Sequence, residues 1–138
     1  MISVRHGCAD DLEAVARIQA ASPEAAQWEV RDYLQYDFFV AECDGRVAGF
    51  AVARRVAPDE SELLNLAVDA AFRRRGIGRR LVSGLLSKYR GTLWLEVRTS
   101  NIGARKFYES LGFIDSGRRP AYYQDSGECA IVMNVHSC

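Results

Sequence analysis

Leu64-Asn65-Leu66-Ala67-Val68-Asp69-Ala70-Ala71-Phe72-Arg73-Arg74-Arg75-Gly76-Ile77-Gly78-Arg79-Arg80-Leu81 says more about the fold than any other stretch of this 138-residue chain. An apolar strand runs into five arginines folded around two glycines, and then into an amphipathic helix. Glycines there let the backbone approach a ligand and turn N–H groups inward, and the helix start adds unpaired donors and a positive dipole end. That combination holds a phosphate. Two rival phosphate loops fail on spacing. No Gly-x-x-x-x-Gly-Lys-Ser/Thr occurs in the chain, and the dinucleotide fingerprint wants a small third residue where Leu81 stands and a first glycine directly after the strand.

The pattern Arg73-x-x-Gly76-x-Gly78 resembles the acetyl-coenzyme A pyrophosphate loop of the GNAT superfamily of N-acetyltransferases. Through this resemblance, Arg73, Arg74, Arg75, Gly76, Ile77, Gly78 and Arg79 become candidate cofactor-binding residues. Leu66, Ala67 and Val68, on the preceding strand, would lie beside the pantetheine arm.

Length and composition fit one domain over residues 1–138, with 49% hydrophobic and 26% charged residues. The formal net charge is zero, which argues against bulk affinity for nucleic acid and makes the arginine cluster a local device. Cys8, Cys43, Cys129 and Cys138 are scattered, with no spacing that signals zinc or a disulfide framework, so no metal is expected. No apolar run approaches the ~18 residues of a membrane span, and the N-terminus does not resemble a signal peptide. A cytoplasmic protein, monomeric or weakly dimeric, is the expectation.

Along the chain, Ile2 to Arg5 reads as a strand, and Asp10 with Glu13 as a capping box opening a helix marked by Leu12, Val15 and Ile18. Ser22-Pro23 reads as the start of a second helix, with Trp28, Tyr33 and Leu34 on its buried or substrate-facing side. Phe38–Cys43 and Arg46–Arg55 flank Asp44-Gly45, a hairpin signal. Glu62–Val68 is the next strand, then a helix over Gly76–Tyr89 and a strand over Thr92–Val97, an order that implies a parallel pair. Ser100 can cap a helix ending at Gly112, and Phe113–Ser116 with Glu128–His136 close the sheet.

Acyl transfer from a thioester to an amine needs a donor cradle, a polarised carbonyl, a neutral amine and a proton for the departing thiolate. Strand alternation sets Leu93, Leu95 and Val97 on one face and Trp94, Glu96 and Arg98 on the other, placing an acid among bulky neighbours. Tyr108 follows on the next helix, and a phenol with a pKa of ~10 stays protonated at neutral pH. Glu62, which opens the strand before the loop, is the alternative base. Its place resembles that of the glutamate that deprotonates lysine in the histone-type branch of the superfamily.

Leu93-Trp94-Leu95-Glu96-Val97-Arg98-x-Ser100-Asn101-x-x-Ala104-x-x-Phe107-Tyr108-Glu109-Ser110-Leu111-Gly112-Phe113, with Arg118-Arg119-x-x-Tyr122-Tyr123 and Ala130-Ile131-Val132-Met133, is similar to the ribosomal-protein-alanine N-acetyltransferases. The resemblance implies an α/β (α+β) fold with a mixed, mostly antiparallel sheet of about seven strands, flanking helices and a splayed central parallel pair. It implies acetyl-coenzyme A as cosubstrate and a protein N-terminal amine, possibly of a ribosomal protein, as acceptor. Glu96 is then the base, Tyr108 the acid, Asn101 a contact to the pantetheine arm, and Trp28, Tyr122 and Tyr123 acceptor-side residues. Gln27 before Trp28, Cys129 and Pro120-Ala121 depart from the pattern of that branch and touch acceptor identity, not cofactor use. A small-molecule amine as acceptor, or a coenzyme-binding module without catalysis, are the alternatives.

Overall fold

A strand that is apolar on both faces must be covered on both sides. The run Val47-Ala48-Gly49-Phe50-Ala51-Val52-Ala53 is of this kind, and it forms the middle of strand β3 (Arg46–Ala57) in a computed structural model that describes residues 1–123 and 127–137, the side chains of 120–123 excepted. Strand β1 (Ile2–His6), strand β2 (Asp37–Cys43), β3 and strand β4 (Glu60–Val68) pair antiparallel in sequence order. Strand β5 (Gly91–Arg98) lies parallel to β4, and strand β7 (Glu128–Ser137) separates β5 from strand β6 (Ile114–Tyr123). Among the described residues the sheet thus has seven strands in the order β1-β2-β3-β4-β5-β7-β6, with one parallel junction.

Helix α1 (Leu12–Ala20) covers one face of β2, β3 and β4, burying Val15 and Ile18 against Phe38, Val40, Phe50 and Val52. Helix α2 (Ile77–Lys88) covers the other through Ile77, Leu81, Val82 and Leu85, the helical set that the sequence offers. Helix α3 (Ile102–Ser110) extends that second layer with Tyr108, which packs edge-on between Phe107 and Phe113.

The parallel junction is short. Glu60, Ser61 and Glu62 pair with Thr92, Leu93 and Trp94, and beyond them β4 and β5 diverge while each stays bonded to its outer neighbour. The splay expected from the family resemblance is therefore present. A bulge accompanies it: Val52 faces Asn65 and Ala53 faces Leu63, so Leu64 is an extra residue in β4, a feature that sharpens strand twist.

Three local expectations are corrected. Ser22-Pro23 opens no helix, because the Ser22 hydroxyl donates back to Ile18 O at 2.8 Å and closes α1; the chain between α1 and β2 instead forms a 3₁₀ segment, Val30–Gln35. Tyr33 from that segment is fully buried, whereas Trp28 and Leu34 are exposed. The capping box uses Asp11, not Asp10, and closes a 3₁₀ turn, Ala9–Asp11, that leads into α1: Asp11 Oδ2 accepts from the Cys8 N–H at 2.8 Å, and Arg5 grips both carboxylate oxygens at 2.8 and 2.9 Å. Asn101, not Ser100, caps α3 by accepting from the Ala104 N–H at 3.1 Å.

The Arg5 guanidinium, followed by the Cys8 amide, holds the Asp11 carboxyl down at about 2, against burial that opposes it. A carboxyl whose folded pKa is depressed adds stability in full above its unfolded value near 3.9 and loses it as pH falls toward 2. Asp11→Asn is therefore expected to lower the urea midpoint at pH 6. The gap to the parent should narrow steadily between pH 4 and pH 2, which parallel urea titrations measure.

Candidate active site

The arginine-glycine loop starts from a short, capped turn. Asp69 accepts from the Ala71 N–H at 3.0 Å and ends β4 in a 3₁₀ turn, Ala70–Phe72. Arg74 and Gly76 then both take positive φ, 66° and 80°, which turns the backbone sharply into α2. Gly76 is the residue before α2, and the first intrahelical bond is Arg80 N–H to Gly76 O at 3.0 Å. The N–H groups of Ile77, Gly78 and Arg79 therefore have no acceptor within the helix, and they lie at its positive end. Gly78 also permits a close approach: a Cβ there would stand 3.0 Å from the Phe107 ring, so α3 packs directly onto the loop.

Those amides open on a groove of about 1410 Å³ that fills the fork between β4 and β5. Glu62 to Val68 form one wall and Leu95 to Arg98 the other, so the strand edges that lost their partner face the cavity. The groove brings together Leu66, Ala67 and Val68 with Arg73, Arg74, Gly76, Ile77, Gly78 and Arg79, and beside them Asn101 and Tyr108 of the α3 region. Arg75 is the exception. It points away, 3.6 Å from Asp44 and over the Phe72 ring at 5.2 Å, with Arg46 at 5.4 Å from the same ring. Its side chain clamps the loop to the β2–β3 hairpin, beside Arg74 in a left-handed conformation.

Two carboxylates straddle the fork. Glu62 occupies the last paired position, and Glu96 lies two residues past its partner Trp94, on the same face of the sheet. Both line the groove and also a second, smaller cavity of about 240 Å³ on the open face of the sheet, floored by Val56, Trp94 and Val132. Each has an arginine: Arg54 donates to Glu62 at 2.9 Å, and Arg119 of β6 reaches across β7 to Glu96 at 2.7 Å. The partnership of Arg119 with Glu96 depends on strand register, so nothing local in the sequence signals it. Tyr108 is buried, and burial pushes its phenol above the ordinary range, so it is fully protonated near neutral pH.

A further wall of the groove is the loop 22–29, which carries Trp28, half-exposed on the groove. It is held by a buried amide network that strand alternation alone does not announce. Asn65 of β4 accepts from the Ala26 N–H at 3.2 Å and donates to Ala26 O at 2.9 Å and to the Tyr33 hydroxyl at 3.0 Å. Tyr33 in turn donates to Gln19, whose Nε2 donates to Trp28 O at 2.7 Å. Asn101 lines the groove too, but its Oδ1 is engaged as the α3 cap. Tyr122 and Tyr123 end β6 by their backbone, and their side chains lie outside the described residues. Among the described residues no cluster of His, Cys, Asp and Glu could hold a metal ion, and no helix is long and apolar enough to cross a membrane.

A splayed parallel pair with an arginine-glycine loop and a helix start at its mouth coincides with a match to the acetyltransferase (GNAT) family over residues 9–113. The chain belongs to that family. This acetyltransferase is 39% identical to the [ribosomal protein bS18]-alanine N-acetyltransferase of Escherichia coli strain K12 over 134 residues, 89% of each chain. It is 43% identical to the N-alpha-acetyltransferase RimI of Mycobacterium tuberculosis over 101 residues, 70% of this chain and 64% of that one. The crystal structure of the Escherichia coli ribosomal-protein-S18-alanine N-acetyltransferase superposes with a TM-score of 0.83 at 34% identity, covering 100% of this chain and 96% of that one. Acetyl-coenzyme A is the donor for the family, and the residues here suit it: three amides without helical acceptors, and Arg73, Arg74 and Arg79 on the same groove.

A β-branched side chain at position 76 would be forced into a left-handed conformation at a cost of about 1–3 kcal/mol. Gly76→Val is expected to weaken coenzyme A binding at least about tenfold in calorimetric titration, with far-UV circular dichroism unchanged. Screening separates the arginines. Arg79→Ala should flatten the dependence of coenzyme A affinity on salt, whereas Arg75→Ala should leave that slope as it is.

Proposed function

We propose that this acetyltransferase acts on the N-terminal α-amine of a protein, with Glu96 as the base and Tyr108 as the proton donor. One observation carries the reading: Glu96 and Tyr108 line the same groove as the phosphate-binding loop, at the point where β4 and β5 part. The names of the curated relatives, acetyltransferases of the alanine of ribosomal protein bS18, make a ribosomal protein N-terminus the acceptor of choice.

Energetics agree with an α-amine. Removing a proton from an amine of pKa ~7.7–8.0 at pH 7 takes about 1–1.4 kcal/mol, against roughly 4.6 for a lysine at ~10.4. A single partly buried carboxylate, relayed through water where needed, meets the smaller demand. Tyr108 has a narrower task. Its phenol, raised by burial, stays protonated at working pH. It donates a hydrogen bond to charge developing on sulfur and supplies the proton along that bond. Glu62 stays second as base and adds negative potential on the path of an incoming amine.

Thiol release from acetyl-coenzyme A, with peptides beginning Ala, Ser or Met set against a pool of small amines, tests the assignment. Peptide acetylation is expected. Glu96→Gln should lower kcat by about 10²-fold or more with coenzyme A affinity intact, and Tyr108→Phe by about tenfold. A fully active Glu96→Gln beside an inactive Glu62→Gln would move the base to Glu62, and turnover confined to small amines would replace the acceptor.

A further inference from the structure

Glu96 does not meet the groove as a bare carboxylate. Arg119 Nη1 stands 2.7 Å from its Oε1, with the glutamate side chain only 21% exposed. The reach is set by register: Glu96 pairs with Val132, and Arg119 pairs with Ala130 two residues away on β7, on the same face. The arginine thus crosses one strand diagonally to arrive at the acid.

We propose that Arg119 is a positioning residue that keeps Glu96 from trapping the acceptor in its charged, unreactive form. This rests on the reading of Glu96 as base. A carboxylate left alone beside an ammonium stabilises the ammonium, because the opposite charge favours the protonated form. The amine then binds well and reacts poorly, a ground-state gain that works against kcat. Sharing the carboxylate with a guanidinium, which stays charged at every working pH, makes the site nearly neutral to the incoming amine. The nitrogen gives up its proton more readily, and its lone pair is available.

Among the described residues, the other charged and titratable groups around Glu96 are engaged elsewhere or carry no positive charge. Glu62 on β4 adds a second negative charge, and its own cation, Arg54 of β3, is spent on it. Glu60 on β4 meets the Trp94 indole N–H at 3.3 Å. Arg98, on the strand of Glu96 itself, pairs with Glu128 of β7 at 3.6 Å. Tyr108 of α3 is neutral, its phenol raised by burial. Among the described residues, Arg119 is the cation in hydrogen-bond contact with the proposed base.

Steady-state kinetics of Arg119→Met, Arg119→Lys and Glu96→Gln across pH 6 to 9.5, with a peptide beginning in alanine as acceptor, decide the matter. Arg119→Met is expected to lower the peptide KM and lower kcat about tenfold at pH 7. The acid limb of its kcat profile should move up by about one unit, so that the deficit vanishes above pH 9; Arg119→Lys should restore the limb. A merely structural arginine would raise KM or lower kcat equally at every pH, and either result overturns the inference. An unchanged Arg119→Met beside a slow Glu96→Gln overturns it alone, whereas a fully active Glu96→Gln overturns it together with the assignment of the base.

Discussion

Hydrogen bonding between β4 and β5 stops after three residue pairs, and most of what this chain does depends on that early stop. Inside a sheet, an unpaired strand edge leaves backbone donors and acceptors that must be satisfied by something. Here each strand keeps its outer neighbour while its inner edge, Leu63 to Val68 on one side and Leu95 to Arg98 on the other, is turned to a groove. A ligand arm that carries amides can complete the ladder from within. The bulge at Leu64 contributes to the divergence by twisting β4, and α2 fixes the end of the fork by starting immediately after the arginine loop. Glu62 and Glu96 sit either side of the branch point because one is the last paired residue and the other follows the first unpaired one.

Charge in this molecule is balanced locally rather than globally. The formal charge is zero, yet Arg73 meets Glu24 of the loop 22–29 at 3.6 Å, Arg75 meets Asp44, Arg54 meets Glu62, and Arg119 meets Glu96. Most of these pairs are half-exposed and contribute little to stability on their own. Their importance is positional. Arg73 and Glu24 link the arginine-glycine loop to the wall that carries Trp28, so two walls of the groove are in electrostatic contact.

Periodicity and spacing made the strand-loop-helix unit legible, along with the parallel pair, the faces of β5 and the apolar stripe of α2, because each depends on residues close in sequence. Glu96 was legible for the same reason. What escaped involves choices between neighbouring donors or partners distant in sequence. Ser22 had a proline behind it and the look of an N-cap, but its hydroxyl found Ile18 O first. Asp11 outcompeted Asp10 because Arg5, on a neighbouring strand, reaches it with two bonds. Arg75 looked equivalent to Arg73 and Arg74, yet its side chain clamps the loop to the hairpin. Arg119 pairs with a glutamate 23 positions earlier, across an intervening strand, a relation that exists only in the register of β5, β6 and β7.

The wall that carries Trp28 shows how a loop without regular structure can be as firmly placed as a helix. Between α1 and the 3₁₀ turn at Val30, backbone groups lack helical partners, so side chains take their place. Gln27 Nε2 reaches Gln19 O and Ser22 O at 2.9 and 3.0 Å, and Asn65 holds both polar groups of Ala26. Asn65, Gln19 and Tyr33 are buried, so each depends on the others for hydrogen bonds that water does not supply. Burial pushes the Tyr33 phenol up, which keeps it a donor to Gln19. In such a network the removal of one member leaves buried donors or acceptors unmet, at about 1–3 kcal/mol each. Asn65 lies within the strand that lines the fork, one residue past the bulge, so the same strand that opens the cofactor groove also fixes the loop opposite it.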